Sequence, residues 1–261
     1  MIYLVLPAYN EEVSFENLFR KTDEYFRNEL NVEYKIVVCD DGSSDRTPEM
    51  LVEYAKKLPL TVLTHKINRG LGEAMRTLFE WVAENCEDDD VIVRMDCDDT
   101  HEPKFIKGLL DKIEEGCDLV IASRFVEGGG AAGLKGYKNV LSQLAQVFMR
   151  TLFPIDGLKE YSSGYRAYKV SAIKFAIKTY GNSFIQLKGL GFTCTLEKVV
   201  KFKMIGAKFG EAPMVLRYDQ KVSESKMVSS ITTFGYFTLA LLYHWPWGGW
   251  KGQYKNIKKL H

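Results

Sequence analysis

Strand-like apolar runs alternate with amphipathic helical stretches through the first 123 residues, and that alternation restricts the possible folds more than any other feature of the chain. "IYLVLPA" reads as a strand, Ser14 to Leu30 carries helical spacing, "YKIVVCDD" is a strand, and Thr47 to Lys57 is a helix opened by Asp45 or Ser44 as cap. "LTVLTH" follows as a strand, then "NRGLGEAMRTLFEWVAEN" as a helix whose Leu71, Met75, Leu78, Phe79 and Val82 share one face. "DVIVRMD" is a strand by its β-branched content, Pro103 to Glu115 a helix, and "CDLVIASRF" a strand. Such alternation predicts an α/β fold with a mostly parallel central sheet flanked by helices, whose ligands bind beyond the carboxyl ends of the strands.

Composition narrows the function classes. At 261 residues and 46% apolar content the chain suffices for one large α/β domain or two small ones, and a disordered protein is excluded. Basic and acidic residues nearly cancel, 35 against 34, so no global basic field exists to attract nucleic acid, and an anionic partner must be held by a local cluster. The five cysteines form no C-x-x-C pair and the four histidines show no zinc-ligand spacing, which predicts reduced thiols in a cytosolic compartment. Strand character from the second residue leads us to expect no secretory leader.

Three strand ends carry the same punctuation: "LPAYNE", "VVCDDGSSDRT" and "VRMDCDDTHEP". At the last of these, Asp96, Asp98 and Asp99 would repel one another and lose solvation, at a cost in stability unless a cation or hydrogen-bonded ligand offsets it. A solvated acidic turn is the plain alternative for an isolated D-x-D, and strand-stopping turn chemistry for each motif alone. Their shared edge favours a common ligand. Carboxylates and an aromatic suit a nucleotide, the acids taking base and ribose donors and a cation taking the diphosphate. The chain has neither the G-x-G-x-x-G pattern nor a Walker loop, which disfavours a simple dinucleotide fold.

From Phe125 the texture changes. "VEGGGAAGLKGYK" is expected to be mobile, with a plain linker as the alternative, and "NVLSQLAQVFMRTLFPI" is an apolar helix ending at Pro154. "EYSSGYRAYK" reads as a compact polar and aromatic turn, "TCTLEKVVKFKMIG" as a helix and "KFGEAPMVLRY" as a strand.

Taken in order over residues 1 to 226, "LPAYNE", "DDGSSDRT", "NRGLGEA", "MDCDDTHEP", "ASRFVEGGG", "SSGYRAYK" and "GEAPMVLRY…SK" resemble the family 2 glycosyltransferases, most closely the dolichyl-phosphate mannosyltransferase type. The resemblance implies a GT-A type single domain, with residues 1–123 as the nucleotide-sugar half, 124–226 as the acceptor half, and 227–261 as a tail. It implies that Pro7, Tyr9, Glu11, Asp40 and Asp41 hold the nucleoside, while Asp96, Cys97 and Asp98 face ribose and a diphosphate bound to Mg or Mn. Asp98 is the first choice of metal ligand, with Asp96, and Thr100 adds an oxygen where relatives often carry Gln or Ser. On the acceptor side the resemblance assigns Arg124, Lys138 and Ser142 to the phosphate of a polyprenyl phosphate, Lys138 standing where Arg is usual and losing its bidentate geometry. Arg217 and Lys226 resemble a basic pair that closes over the donor diphosphate, here with eight residues between them. As solvated surface cations any of these would be ordinary.

An anionic phosphate acceptor needs no general base, whereas a hydroxyl acceptor does; Asp99 and Asp156 are the candidate bases in that case. The implied activity is inverting, metal-dependent transfer of a hexose from a nucleotide-diphosphate sugar to a lipid phosphate, with mannose from GDP-mannose favoured. A same-fold transferase acting on a glycan or other hydroxyl is the alternative, and a silent nucleotide-sugar-binding module the third reading.

The tail bears on location. Between Met227 and Trp250 there is no Asp, Glu, Lys or Arg. "ITTFGYFTLALLY" nevertheless supplies only about 20 Å of helix against a ~30 Å hydrocarbon core. "HWPWGGW" and "KGQYKNIKKLH" match a segment in the headgroup region, which predicts a cytoplasmic protein peripherally attached to the membrane. Packing on the domain or on a second subunit is the alternative.

Overall fold

The computed structural model describes all residues except 134–135 and 222–227, and all side chains outside those and 137–141. In chain order the elements are β1 (Ile2–Ala8), α1 (Phe15–Glu24), β2 (Tyr34–Asp40), α2 (Thr47–Tyr54), β3 (Leu60–Thr64), α3 (Leu71–Asn85), β4 (Val91–Arg94), α4 (Ile106–Glu114) and β5 (Leu119–Ser123). They continue with β6 (Gly130–Ala132), α5 (Gly136–Leu152), β7 (Arg166–Lys169), α6 (Val170–Tyr180), α7 (Thr193–Met204), β8 (Phe209–Pro213), β9 (Val215–Arg217), α8 (Ser229–His244) and α9 (Trp250–Gln253).

Strands alternate their side chains between two faces, and both faces here are covered. Val5 and Val37 join Met75, Phe79 and Phe202 in one core, while Leu4, Leu6 and Ile36 join Phe15, Phe19 and Leu109 in the other. Seven strands make one sheet in the order β3-β2-β1-β4-β7-β5-β8, with β6 and β9 paired separately. Within the large sheet β7 runs antiparallel to both its neighbours, and the other pairings are parallel. The expected mostly parallel sheet flanked by helices is therefore observed.

Three local expectations are corrected. "RAYK", read as part of a turn, is the buried strand β7. Its Arg166 is fully buried because the guanidinium gives its hydrogens to the carbonyls of Ser163 at 2.7 Å, Thr195 at 2.8 Å and Tyr161 at 2.8 Å, a solution invisible to a hydropathy pattern. Part of the glycine-rich run expected to be mobile, Gly130–Ala132, is strand β6 lying parallel to β9. "KFGEAPMVLRY" breaks at Met214, whose backbone N–H bonds Ser123 O at 3.0 Å, so its two halves join different sheets.

Helix α8 buries Thr232, Gly235, Leu239 and Tyr243. Gly235 lies so close to α7 that a Cβ there would stand 1.9 Å from Thr193 Oγ1. Trp250 is buried in the core, and the chain end returns to the domain through Leu260 N–H to Ile205 O at 2.8 Å. Among the described residues no helix is long and apolar enough to cross a membrane.

Candidate active site

The chain steps from β1 through β2 to β3, then returns to place β4 on the other side of β1. The loops after β1 and β4 thus diverge at a topological switch point, where such sheets bind ligands. The sequence-selected motifs meet there. Asn10 N–H reaches Ser43 Oγ at 2.9 Å, Ser44 N–H reaches Asn10 Oδ1 at 2.8 Å, and Glu11 N–H reaches Thr47 Oγ1 at 2.8 Å, fastening the first loop to the second. Gly42 turns the second loop at φ +70°, and a Cβ there would lie 2.4 Å from the Ile67 carbonyl carbon. Only glycine fits both requirements.

Pro7 and Tyr9 are half-buried at this edge, and Glu11, Asp40 and Asp41 are buried. Asp40 Oδ1 accepts from Ser43 N at 3.1 Å. Asp41 turns into the protein: its oxygens accept from Arg69 N at 2.9 Å and Gly70 N at 2.7 Å, and Oδ1 lies 2.6 Å from His65 Nδ1. Asp41 therefore holds the loop opposite rather than presenting a free carboxylate. Cys97 is buried with Sγ 3.4 Å from Pro7 O, and burial pushes its thiol well above the usual range, so it packs as a neutral group.

The mutual repulsion of the three acids of "MDCDD" is offset because each has its own partner. Asp96 Oδ1 is 2.5 Å from Nη2 of the buried Arg94, an ion pair rather than an aligned hydrogen bond. Its backbone N–H donates to Nδ1 of His101 at 3.0 Å, and burial lowers the pKa of that imidazole, which keeps it a neutral acceptor. Asp98 accepts from Thr100 Oγ1 at 2.6 Å and pairs with the Lys221 ammonium. Burial by itself would raise the Asp98 carboxyl, but the charge of Lys221 and the hydrogen bonds from Lys221 and Thr100 hold it below the usual range. Asp99, at φ +59°, points to Asn17 Nδ2 at 2.9 Å, and burial raises its pKa.

Arg124 leaves the end of β5 and lies against Glu160 and Ser162 Oγ, the latter at 2.9 Å from Nη2. Gln146 of α5 donates to Glu160 Oε1 at 3.1 Å and to Ser162 Oγ at 2.8 Å. Ser142 stands one helical turn before Gln146. The side chain of Lys138 and all of Lys226 lie outside the described residues. Arg217 is directed elsewhere: its Nη2 is 2.7 Å from Asp219 Oδ2 and its Nη1 3.6 Å from Glu102 Oε1. Asp156 is exposed in the turn after α5.

Lys221, Glu160, Arg94 and His101 were not selected from the sequence. Lys221 lies between Arg217 and Lys226 in sequence as a third cation, and Glu160 belongs to "EYSSGYRAYK", whose turn-like composition does not mark a buried carboxylate. Among the described residues no three His, Cys, Asp or Glu converge as a metal cluster. A cation at Asp98 would share its coordination with a bound diphosphate, the usual arrangement for a hard ion held by one or two carboxylates, and the oxygen donors of Asp98 and Thr100 fit it.

Fold and site together define a glycosyltransferase of the GT-A type. The profile of Glycosyl transferase family 2 matches residues 3–176, and the chain belongs to that family. It is 30% identical over 260 residues to a dolichol-phosphate mannosyltransferase of Pyrococcus furiosus, a match spanning 99% of this chain and 67% of that one. It is 29% identical to an undecaprenyl-phosphate mannosyltransferase of Micrococcus luteus, over 88% of each chain. Among solved structures, glucosyl-3-phosphoglycerate synthase of Mycobacterium tuberculosis with Mn2+, UDP and phosphoglyceric acid superposes at a TM-score of 0.61 and 17% identity, over 92% of this chain and 78% of that one. A mannosyltransferase of Pyrobaculum calidifontis in complex with GDP-Man and Mn2+ superposes at 0.56 and 17%, over 87% and 58%.

Proposed function

We propose that the protein transfers mannose from GDP-mannose to a polyprenyl phosphate at a membrane surface, with a divalent cation held at Asp98. One observation carries the acceptor half of this reading. Helix α5 binds the Arg124 to Glu160 pair through Gln146 on one side and exposes Leu144 and Val147 on another. Its Phe148 packs 5.6 Å from Phe237 of α8, and α8 exposes Phe234, Phe237 and Leu241, followed by Trp245 and Trp247. The Arg124 guanidinium, held in place beside exposed apolar side chains of α5 and α8, suits a ligand with an anionic head and a hydrocarbon tail.

The same face supports attachment to the bilayer boundary, with exposed Lys251, Lys255 and Lys258 nearby in sequence for anionic lipid. The relatives named for dolichol-phosphate and undecaprenyl-phosphate mannosyl transfer support the same acceptor class. A divalent cation, when bound, offsets the charge that develops on the diphosphate as the sugar departs. The chain's own groups prepare for this: Thr100 orients Asp98, Arg94 pairs with Asp96, and Glu160 fixes Arg124. Because a phosphate acceptor arrives as an anion, neither Asp99 nor Asp156 is needed as a base.

The test is transfer from GDP- and UDP-sugars, with and without manganese, to polyprenyl phosphate and to the matching polyprenol. Mannosyl transfer from GDP-mannose to the phosphate alone is expected. Transfer to the polyprenol would overturn the acceptor assignment in favour of a hydroxyl acceptor.

A further inference from the structure

Among the described residues, the cation on Asp98 is not Arg217, which the resemblance assigned to the donor diphosphate. It is Lys221. Strand β9 is fastened to that loop by Arg217 N–H to Thr100 O at 3.0 Å and to β6 by its own pairing. The short turn Tyr218–Gln220 then carries the chain round, so Lys221 arrives with its ammonium on Asp98 Oδ2 while Thr100 occupies Oδ1. Arg217, four positions earlier, is bonded to Asp219. The ammonium is largely buried, its side chain 18% exposed, and the negative charges of Asp96 and Glu11 act on it as well.

We propose that Lys221 is a built-in counter-ion of the metal site, holding Asp98 until a divalent cation and a nucleotide diphosphate arrive together and then moving from the carboxylate to the diphosphate. This rests on the reading that Asp98 is the metal ligand. An ammonium in contact with Asp98 Oδ2 and a dication bound by the same oxygen would repel each other strongly, so the two would exclude one another there. A metal binding alone must break the ion pair and leave a largely buried ammonium with only the charges of Asp96 and Glu11 to offset it. When a diphosphate binds as well, the displaced ammonium gains a new anion. Metal and diphosphate therefore favour each other's binding, and Lys221 is the group that couples them.

The experiment is calorimetric titration of manganese into the full chain as wild type, Lys221→Met and Lys221→Arg, with and without GDP or UDP. Without nucleotide, Lys221→Met is expected to bind manganese roughly tenfold more tightly than wild type, while Lys221→Arg stays near wild type. Nucleotide is expected to tighten manganese binding by a larger factor in wild type than in Lys221→Met. Melting curves in chelator establish that each variant is folded. Equal or weaker manganese binding by a folded Lys221→Met without nucleotide overturns the proposal and leaves the metal site standing. Failure of every protein to bind manganese, with or without nucleotide, overturns the metal site and the proposal with it.

Discussion

The Arg124 guanidinium lies edge-on against the Glu160 carboxylate, with Nε 2.8 Å from Oε2 and Nη2 3.0 Å from Oε1. Glu160 is fully buried and also accepts from the backbone N–H groups of Ser162 at 2.9 Å and Ser163 at 3.1 Å. The arrangement fixes the guanidinium plane and offsets its charge before any ligand arrives.

Replacing Glu160 by Gln leaves a buried guanidinium without its counter-charge. Loss of stability on the order of 3 kcal/mol is expected, read from the denaturant midpoint. On the proposed function, the KM for polyprenyl phosphate rises more than that for the nucleotide sugar, and Glu160→Asp recovers part of both. Equal changes in the two KM values would remove Arg124 from the acceptor site.

Asp98→Ala is expected to lower turnover by ~100-fold or more, as loss of a group stabilising developing charge does. The fold survives, because Asp96 and Glu11 still offset the Lys221 ammonium. Near-normal turnover in the folded variant would sink the metal assignment.

Lys198 is buried, its ammonium 5.5 Å above the Phe79 ring, and burial lowers its pKa from 10.5 to about 8. Between those values the unfolded chain holds the proton and the folded chain does not. The group's penalty is therefore complete below about 8, and stability rises as the pH increases from there towards 10.5. Lys198→Met is expected to be more stable than wild type at neutral pH by ~1–3 kcal/mol. The gap should close with rising pH, and a gap independent of pH in chemical denaturation would contradict the burial argument.

The apolar face of α8 is best tested by single substitutions rather than truncation, because Trp250 and Leu260 beyond it close the core. Phe234 is 64% exposed, Phe237 60% and Trp247 82%, so changing them to Ser should leave the melting temperature nearly unaltered. Cosedimentation with anionic liposomes is expected to fall several-fold in the triple variant, and undiminished binding would move the membrane contact elsewhere.

The alternating strands and helices are legible in the sequence, since period-two and period-3.6 patterns arise from local geometry and from burial on known faces. The sequence also located the loops after β1, β2 and β4, because Pro, Asn, Gly and Asp stop strands wherever they stand. Tertiary structure decided what those loops do. The sequence counted three acids and several cations, but only the fold assigns Asp96 to Arg94, Asp98 to Lys221 and Asp99 to Asn17. It inserts β7 antiparallel between β4 and β5, with Arg166 satisfied by three distant or turning carbonyls that no periodicity announces. It also turns Asp41 inward and Arg217 outward. Such pairings depend on distances between segments far apart in the chain, and an ion pair is set by where two side chains end rather than by where their residues stand in sequence.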